Sequence, residues 1–191
     1  MQHNDYPLTL LCHPATPAPV VRTIEAHATM QPDGSLAIAY RLWGDMVRLR
    51  IPEPQAPERT DSLWEHTCFE AFVGATGDTA YREFNFSPSG QWAAYAFSGY
   101  RQPDASAALR SAPQITARRF AGRFELEAVI AADALPPGAD TLQIALSAVV
   151  EAVDIVDGSH SYWALRHPVQ RPDFHHRDAF ILELANPHKA V

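Results

Sequence analysis

The sequence has few cysteines, no long apolar run and no excess of positive charge. Its two cysteines, Cys12 and Cys68, do not form a CxxC pair, so neither a zinc ribbon nor a redox dithiol is indicated. No segment approaches the roughly 20 consecutive apolar residues that span a membrane. The net charge of −7 argues against nucleic acids and anionic membranes as partners, because both attract basic surfaces.

The N-terminal segment lacks the basic and apolar regions of a secretory signal peptide, so we expect a cytoplasmic protein. Apolar residues make up 47% of the chain and charged residues 19%, which is typical of a globular protein. A length of 191 residues suits one domain better than two. We therefore expect a single domain over residues 1–191, with its core between about residues 20 and 185.

Motifs of common catalytic and cofactor sites are also missing. The sequence has no GxSxG elbow, no P-loop, no GxGxxG and no HExxH. His175 and His176 are adjacent, so in a strand their rings would point to opposite faces. A metal site built from Asp173, His175 and a distant group is less favoured than two ordinary loop histidines. The sequence thus predicts neither catalysis nor a resident metal or cofactor.

What the chain does contain is frequent turn signals separated by period-2 alternation. Sixteen prolines and nine glycines leave little room for long helices. The alternation predicts strands in the segments 21–30, 36–42, 67–73, 81–86, 92–97, 114–120, 123–130, 142–150 and 179–184, with a further strand in 46–51 and one helical turn in 131–135. This pattern predicts an all-β fold with few or no helices, as an antiparallel two-sheet β-sandwich of the immunoglobulin or jelly-roll type. A closed barrel is the alternative.

The segment 63–70 (LWEHTCFE) is the most distinctive stretch. Trp64 ends a polar loop just before a strand, where an indole can stack on the apolar face of a sugar ring. Glu70 lies inside a strand rich in Phe and Val, and a carboxylate there needs a partner or a ligand hydroxyl. The alternative is that Trp64 covers the core and Glu70 faces solvent.

Alternation in YREFNF places Tyr81, Glu83 and Asn85 on one face of a strand and Arg82 on the other. Three polar side chains in a row either line a hydrogen-bonding cleft or form the wet face of a sheet. A second tryptophan, Trp163, lies in a late loop or at a strand start. It either faces a ligand or packs in the core.

Three segments taken together resemble a known family. They are LWEHTCFEAFV, YREFNFSPSG and the closing YWAL…PDFHHRDAFILEL. They are similar to the DOMON-like superfamily, and more narrowly to its branch related to family 9 carbohydrate-binding modules, over roughly residues 20–185. The shared pattern is a tryptophan before an acidic strand, a Tyr-rich strand ending in Pro-x-Gly, and a late tryptophan followed by a short terminal strand.

The resemblance implies an antiparallel β-sandwich that binds a small-molecule ligand, a sugar, without catalysis. By motif position Trp64 and Trp163 would clamp the sugar, Glu70 would supply the acid and Arg82 the guanidinium. His160 stands where the family modules carry Asn three residues before the late tryptophan. The predicted ligand-binding residues are Trp64, Glu70, Arg82, Glu83, Asn85, His160 and Trp163.

Three other functions stay open from the sequence. Other DOMON-type domains bind haem through Met and His, and Met30 and Met46 are the internal methionines. Glu70 and Glu83, on neighbouring strands, suit a carboxylate pair for glycoside hydrolysis at a separation of about 5 to 10 Å. A structural or interaction domain would have an ordinary core in place of a cleft.

Overall fold

The computed structural model describes residues 7–107, 111–153 and 159–186. Within them the chain forms twelve strands: β1 Leu8–Cys12, β2 Val21–Met30, β3 Leu36–Gly44, β4 Cys68–Ala75, β5 Tyr81–Phe86, β6 Trp92–Gly99, β7 Gln102–Pro103, β8 Gln114–Arg119, β9 Arg123–Ile130, β10 Thr141–Ala152, β11 Ser159–Ala164 and β12 Leu182–Ala185. Three-residue 3-10 turns occur at Leu63–Glu65, Ala132–Ala134 and Arg177–Ala179. The described residues contain no α-helix, and no helix that could cross a membrane. The predicted all-β fold is confirmed.

The strands pair antiparallel in the order β7-β6-β5-β4-β10-β11-β1-β2-β3-β9-β8, and β12 also pairs with β10. β1 divides this path, because residues 8–10 pair with β2 whereas residues 11 and 12 pair with β11. We call β2, β3, β8 and β9 the first strand group, and β4–β7 with β10–β12 the second strand group.

One hydrophobic core contains residues of both groups. Phe69 of β4 packs against Tyr40 of β3 and Phe124 of β9, with ring centroids 5.0 and 6.0 Å apart. The Tyr40 hydroxyl also donates a hydrogen bond of 2.7 Å to the backbone carbonyl of Glu70. Alternation explains these contacts, since every second residue of β9 from Phe124 to Ile130 is buried.

The central strands of the second group are buried on both faces. β4 is buried from Cys68 to Gly74, and β10 is buried almost throughout. On the face turned away from the core, Phe72 forms a second cluster with Tyr81 and Phe180. The segment after β11 therefore covers part of this outer face of the second group.

Most of the predicted strands coincide with observed ones, but the strand in 46–51 is wrong. A turn begins at Asp45, and only Leu49 bridges to Ala152 of β10. Met46, Leu49 and Ile51 are buried singly and not as part of a ladder, whereas Val47 is exposed. β1, the two-residue β7 and β11 are not among the predicted strands. Cys68 is a buried free thiol, which is common for a cysteine in an apolar strand.

Candidate functional site

A cavity of about 470 Å³ lies on the outer face of the second strand group. Its residues come from β4, β5, β6, β10 and β11, from the turn at Leu63–Glu65, from the β6–β7 turn and from the segment 172–175. The lining residues are Trp64, Glu70, Phe72, Glu83, Tyr95, Phe97, Arg101, Val149, Tyr162, Pro172, Phe174 and His175.

Strand register explains why polar side chains meet on this face. Glu70 of β4 lies directly opposite Asn85 of β5 on one side and Ser147 of β10 on the other. One pair further along, Glu83 of β5 lies opposite Tyr95 of β6. Residues directly opposite in an antiparallel pair share a face, so these side chains form one polar patch.

Glu70 is buried to 3% exposure, yet its carboxylate has no hydrogen-bond partner within the part of the chain that the structure describes. Burial raises the pKa of Glu70 well above its ordinary value, and the charge of Glu83 raises it further. A buried carboxyl without a partner is costly, so this group is suited to a ligand that brings a donor.

The two neighbours of Glu70 also have unused hydrogen-bonding capacity. Asn85 donates from Nδ2 to Oε1 of Glu83 at 2.8 Å, but its Oδ1 is buried without a partner among the described residues. The hydroxyl of Ser147 is likewise buried and unpaired there. Buried polar atoms nearly always have a hydrogen-bond partner in folded proteins. A cluster of buried polar atoms without partners therefore marks a place where water or a ligand binds.

Glu83 belongs to a network with His175 and Tyr81. Burial raises the pKa of Glu83, whereas the Asn85 hydrogen bond and the charge of Arg101 oppose the rise. His175 Nε2 lies 3.6 Å from the Glu83 carboxylate, and its Nδ1 lies 2.8 Å from the Tyr81 hydroxyl. Burial, with the nearby Arg101, lowers the pKa of His175 to about 4, so the ring is neutral near neutral pH.

Arg101 brings a charge to the rim of the cavity and is itself paired. Its Nη2 donates to Asp173 at 3.0 Å, and the Tyr100 hydroxyl donates to the other oxygen of Asp173 at 2.7 Å. The backbone N–H of Arg101 donates to Tyr81 at 3.1 Å. Arg101 adopts a positive φ of 53°, which is uncommon for a residue with a side chain and is often found at functional sites.

Aromatic side chains form the walls of the cavity. Tyr81 stacks on Phe97 with centroids 4.8 Å apart, and Tyr162 lies 6.0 Å from Phe174. Trp64 is half exposed, at 50%, so a large part of its indole is free to contact a ligand.

The turn that carries Trp64 is held by its neighbours. Ser62, just before the turn, has a positive φ of 62°. His66, just after it, donates to the Glu151 carboxylate at 2.9 Å, and His160 donates from Nε2 to the carbonyl of Glu65 at 2.8 Å. The turn is thus pinned from β10 and from β11.

The structure brings together three of the predicted site residues, namely Trp64, Glu70 and Glu83, at one cavity. Asn85 adjoins them through its bond to Glu83. His160 does not line the cavity and instead supports the turn that presents Trp64.

Two predicted residues lie away from the cavity. Trp163 is 6% exposed and packs in the core, and its Nε1 donates to Ser161 at 2.9 Å. The expected pairing of Trp64 with Trp163 is therefore corrected, because alternation in β11 turns Tyr162 and not Trp163 toward the cavity. The prediction that the Arg82 guanidinium binds the ligand is also corrected by alternation, since Arg82 lies on the opposite face of β5 from Glu83.

Sequence reasoning missed several lining residues. Tyr95 and Phe97 share one face of β6 and lie opposite Glu83 and Tyr81. The turn signal at 87–91 could have predicted this pairing of β5 with β6. Tyr162 could have been predicted by alternation in β11, because neighbouring residues of a strand face opposite sides and Trp163 faces the core. Arg101 carried no signal, because its partner Asp173 lies 72 residues away in sequence.

The residues considered for a metal or haem are placed elsewhere or used otherwise. Asp173 is bound by Arg101 and Tyr100, and no group of three or more potential metal ligands exists among the described residues. Met46 is buried in the core and Met30 packs against it, so neither lines the cavity.

Comparison with known proteins gives matches only among solved structures, since no protein-family model and no curated protein matches the chain. A candidate carbohydrate-binding protein from Bacteroides uniformis superposes with a TM-score of 0.64 at 19% identity, over 94% of this chain and 84% of that one.

Two structures of family 9 carbohydrate-binding modules from Caldicellulosiruptor kristjanssonii also match. The glucose complex has a TM-score of 0.57 at 11% identity, over 93% of this chain and 83% of that one. The cellotriose complex has a TM-score of 0.51 at 12% identity, over 83% and 72%. The chain therefore shares the fold of family 9 carbohydrate-binding modules, which confirms the DOMON-like resemblance at the level of the fold.

Proposed function

We propose that this protein is a non-catalytic module that binds a carbohydrate in the cavity on the outer face of the second strand group. The observation that carries the proposal is the Glu70 carboxyl, which is 3% exposed and unpaired among the described residues at an aromatic-lined cavity. A polar group placed in this way is expensive to fold without a ligand that satisfies it.

A carbohydrate matches both kinds of surface in the cavity. Sugar rings present an apolar face of C–H groups, which suits the half-exposed indole of Trp64 and the ring of Tyr162. Their hydroxyls donate and accept hydrogen bonds, which suits Glu70 and Glu83 of the lining. The proposed clamp thus uses Trp64 with Tyr162 in place of the tryptophan pair expected from sequence.

The solved structures with the same fold support this ligand class. The family 9 modules are complexes with glucose and with cellotriose. Because the sequence identities are low, the ligand of this chain is inferred from its own cavity, and the complexes indicate only that the fold accommodates sugars.

We further propose that the two strand groups are the two layers of a β-sandwich. The face-to-face packing of Phe69 on Phe124, at 6.0 Å, supports layers that share one core. This arrangement leaves the outer face of the second group free to carry a binding site.

The proposal is tested by titrating the protein with glucose, cellotriose and other mono- and disaccharides, following tryptophan fluorescence and heat of binding. Trp64→Ala and Glu70→Gln should each weaken binding by about tenfold or more, since each removes about 1.5 to 3 kcal/mol of stacking or charged hydrogen bonding. The matched controls are Phe120→Ala, an exposed aromatic in the turn between β8 and β9, and Glu127→Gln, an exposed acid of β9.

Unchanged affinity in Trp64→Ala, or no binding to any sugar by the wild type, would contradict the proposal. A panel of aryl glycosides tests the non-catalytic part, and turnover that depends on Glu70 and Glu83 would overturn it.

A further inference from the structure

The cavity lining contains more carboxyl groups than free cationic groups. Glu70 and Glu83 both contribute carboxyl groups. Arg101 also lines the cavity, but its guanidinium is already paired with Asp173 at 3.0 Å. His175 lies 3.6 Å from Glu83, but its lowered pKa keeps it uncharged near neutral pH. Among the described lining residues, Glu70 therefore has no free cationic partner.

The walls reinforce this preference for positive charge. Trp64, Tyr95 and Tyr162 line the cavity together with Phe97 and Phe174. Aromatic rings carry partial negative charge on their faces and attract ammonium groups, most strongly where water is excluded. Aromatic walls around an unpaired carboxyl are surroundings that a cation favours over a neutral hydroxyl.

We propose that the sugar held in this cavity carries a protonated amine, so that the ligand class is an amino sugar whose ammonium group binds Glu70 within the aromatic walls. This inference rests on the proposed carbohydrate-binding function. The hydroxyls of the same ring match other polar residues of the lining, such as Glu83 and Tyr162, which a simple alkylammonium cannot use.

The ionisation of Glu70 links proton release to binding of such a ligand. The charged or titratable groups near Glu70 are Glu83 from β5, Cys68 from its own strand β4 and Tyr40 from β3, and each of them disfavours its ionisation when negatively charged. Arg101, His175, Tyr95 and Tyr162 complete the titratable lining, and Asp173 lies beside it as the partner of Arg101. An ammonium group at Glu70 favours the carboxylate, so the complex releases a proton that the free site retains.

Isothermal titration of the wild type with glucosamine, glucose and N-acetylglucosamine tests the inference. The experiment is done at about pH 6, where an amine resembling an α-amino group is still mostly protonated. We expect glucosamine to bind at least about tenfold more tightly than the two neutral sugars. Repeating the titration in buffers of different ionisation enthalpy should show proton release for glucosamine alone.

Glu70→Gln should remove both the preference for glucosamine and the proton release, whereas Glu127→Gln should keep both. Equal or tighter binding of glucose or N-acetylglucosamine by the wild type overturns the amino-sugar inference and leaves the carbohydrate-binding proposal intact. A preference for glucosamine that survives in Glu70→Gln also overturns it. Failure of all three sugars and of cellotriose to bind overturns the carbohydrate-binding proposal itself.

Discussion

Two carboxylates on the same outer face, Glu70 of β4 and Glu151 of β10, are equally buried and yet have opposite surroundings. Each is 3% exposed. Glu151 receives Arg50 at 3.0 Å and His66 at 2.9 Å. Glu70 receives no side-chain donor from the described residues. Burial alone therefore does not reveal a binding site, and the missing partner is the informative feature.

The paired carboxylate has a structural task. By binding His66, Glu151 fixes the chain immediately after the turn that presents Trp64. The unpaired carboxyl has no such task, and its environment disfavours its own charge. The carboxylate at one end of the face is thus satisfied by the protein, and the carboxyl at the other end has no side-chain donor among the described residues.

The largest expected effect comes from a substitution of the paired carboxylate, Glu151. Glu151→Gln removes the charge that binds Arg50 and His66, and should lower the free energy of unfolding by about 1 to 3 kcal/mol. For a chain of this size that corresponds to a melting temperature lower by several degrees. Chemical and thermal denaturation at pH 7 measure it. A variant as stable as the wild type would mean that the pairing contributes nothing.

The same substitution at the unpaired end should have the opposite sign. Glu70→Gln replaces a buried group that resists ionisation with a neutral one, and should raise the free energy of unfolding without ligand by about 0.5 to 1.5 kcal/mol at pH 7. The two Gln variants are matched, since both keep the side-chain shape. Clear destabilisation by Glu70→Gln would indicate a structural partner for Glu70.

The pH dependence sharpens the contrast at Glu70. Its folded-state pKa is raised, so the stability that the protonated group contributes is fully present below the ordinary value of 4.5 and is lost as the pH rises through the folded-state pKa. The advantage of Glu70→Gln over the wild type should therefore grow as the pH increases from 4.5 toward neutrality. Melting temperatures of both proteins across this range measure it, and a difference independent of pH would contradict the raised pKa.

The smallest expected effect concerns the support that Glu151 gives, through His66, to the turn that carries Trp64. His66→Ala frees the turn of Trp64 and should weaken sugar binding a few-fold by adding disorder to the free protein, with less than about 1 kcal/mol lost in stability, since the His66 side chain is more than half exposed. His27→Ala, in β2 of the first group, is the matched control. Binding unchanged in His66→Ala would show that Trp64 needs no support from Glu151.

The sequence allowed the strands and part of the site to be predicted, because both depend on local alternation. The face shared by Glu83 and Asn85 follows from parity in β5. Alternation in β11 would have predicted that Tyr162 and not Trp163 lines the cavity. That prediction requires the strand to be recognised and its core-facing side to be known. The family resemblance indicated Trp163 as the ligand contact. This position is off by one residue, and in a strand a shift of one residue reverses the face on which the side chain lies.

The remainder of the site depends on contacts that no local pattern records. The pairing of Arg101 with Asp173 joins a tight turn to a distant covering segment. Whether Glu70 is paired depends on which side chains reach it from other strands. Pairing can therefore be read only from the assembled fold, although the pattern had already singled out Glu70 as unusual.

The position of β1 between the two strand groups has a consequence for how the protein forms during synthesis. Its first residues pair with β2, which follows it closely, whereas Cys12 pairs with Trp163 of β11 and the Leu11 carbonyl accepts from His167, 156 residues later. The ribosome must therefore release most of the chain before this strand can complete its ladder. Until then the nascent chain carries a half-paired strand, and its final closure is a long-range step that slows folding.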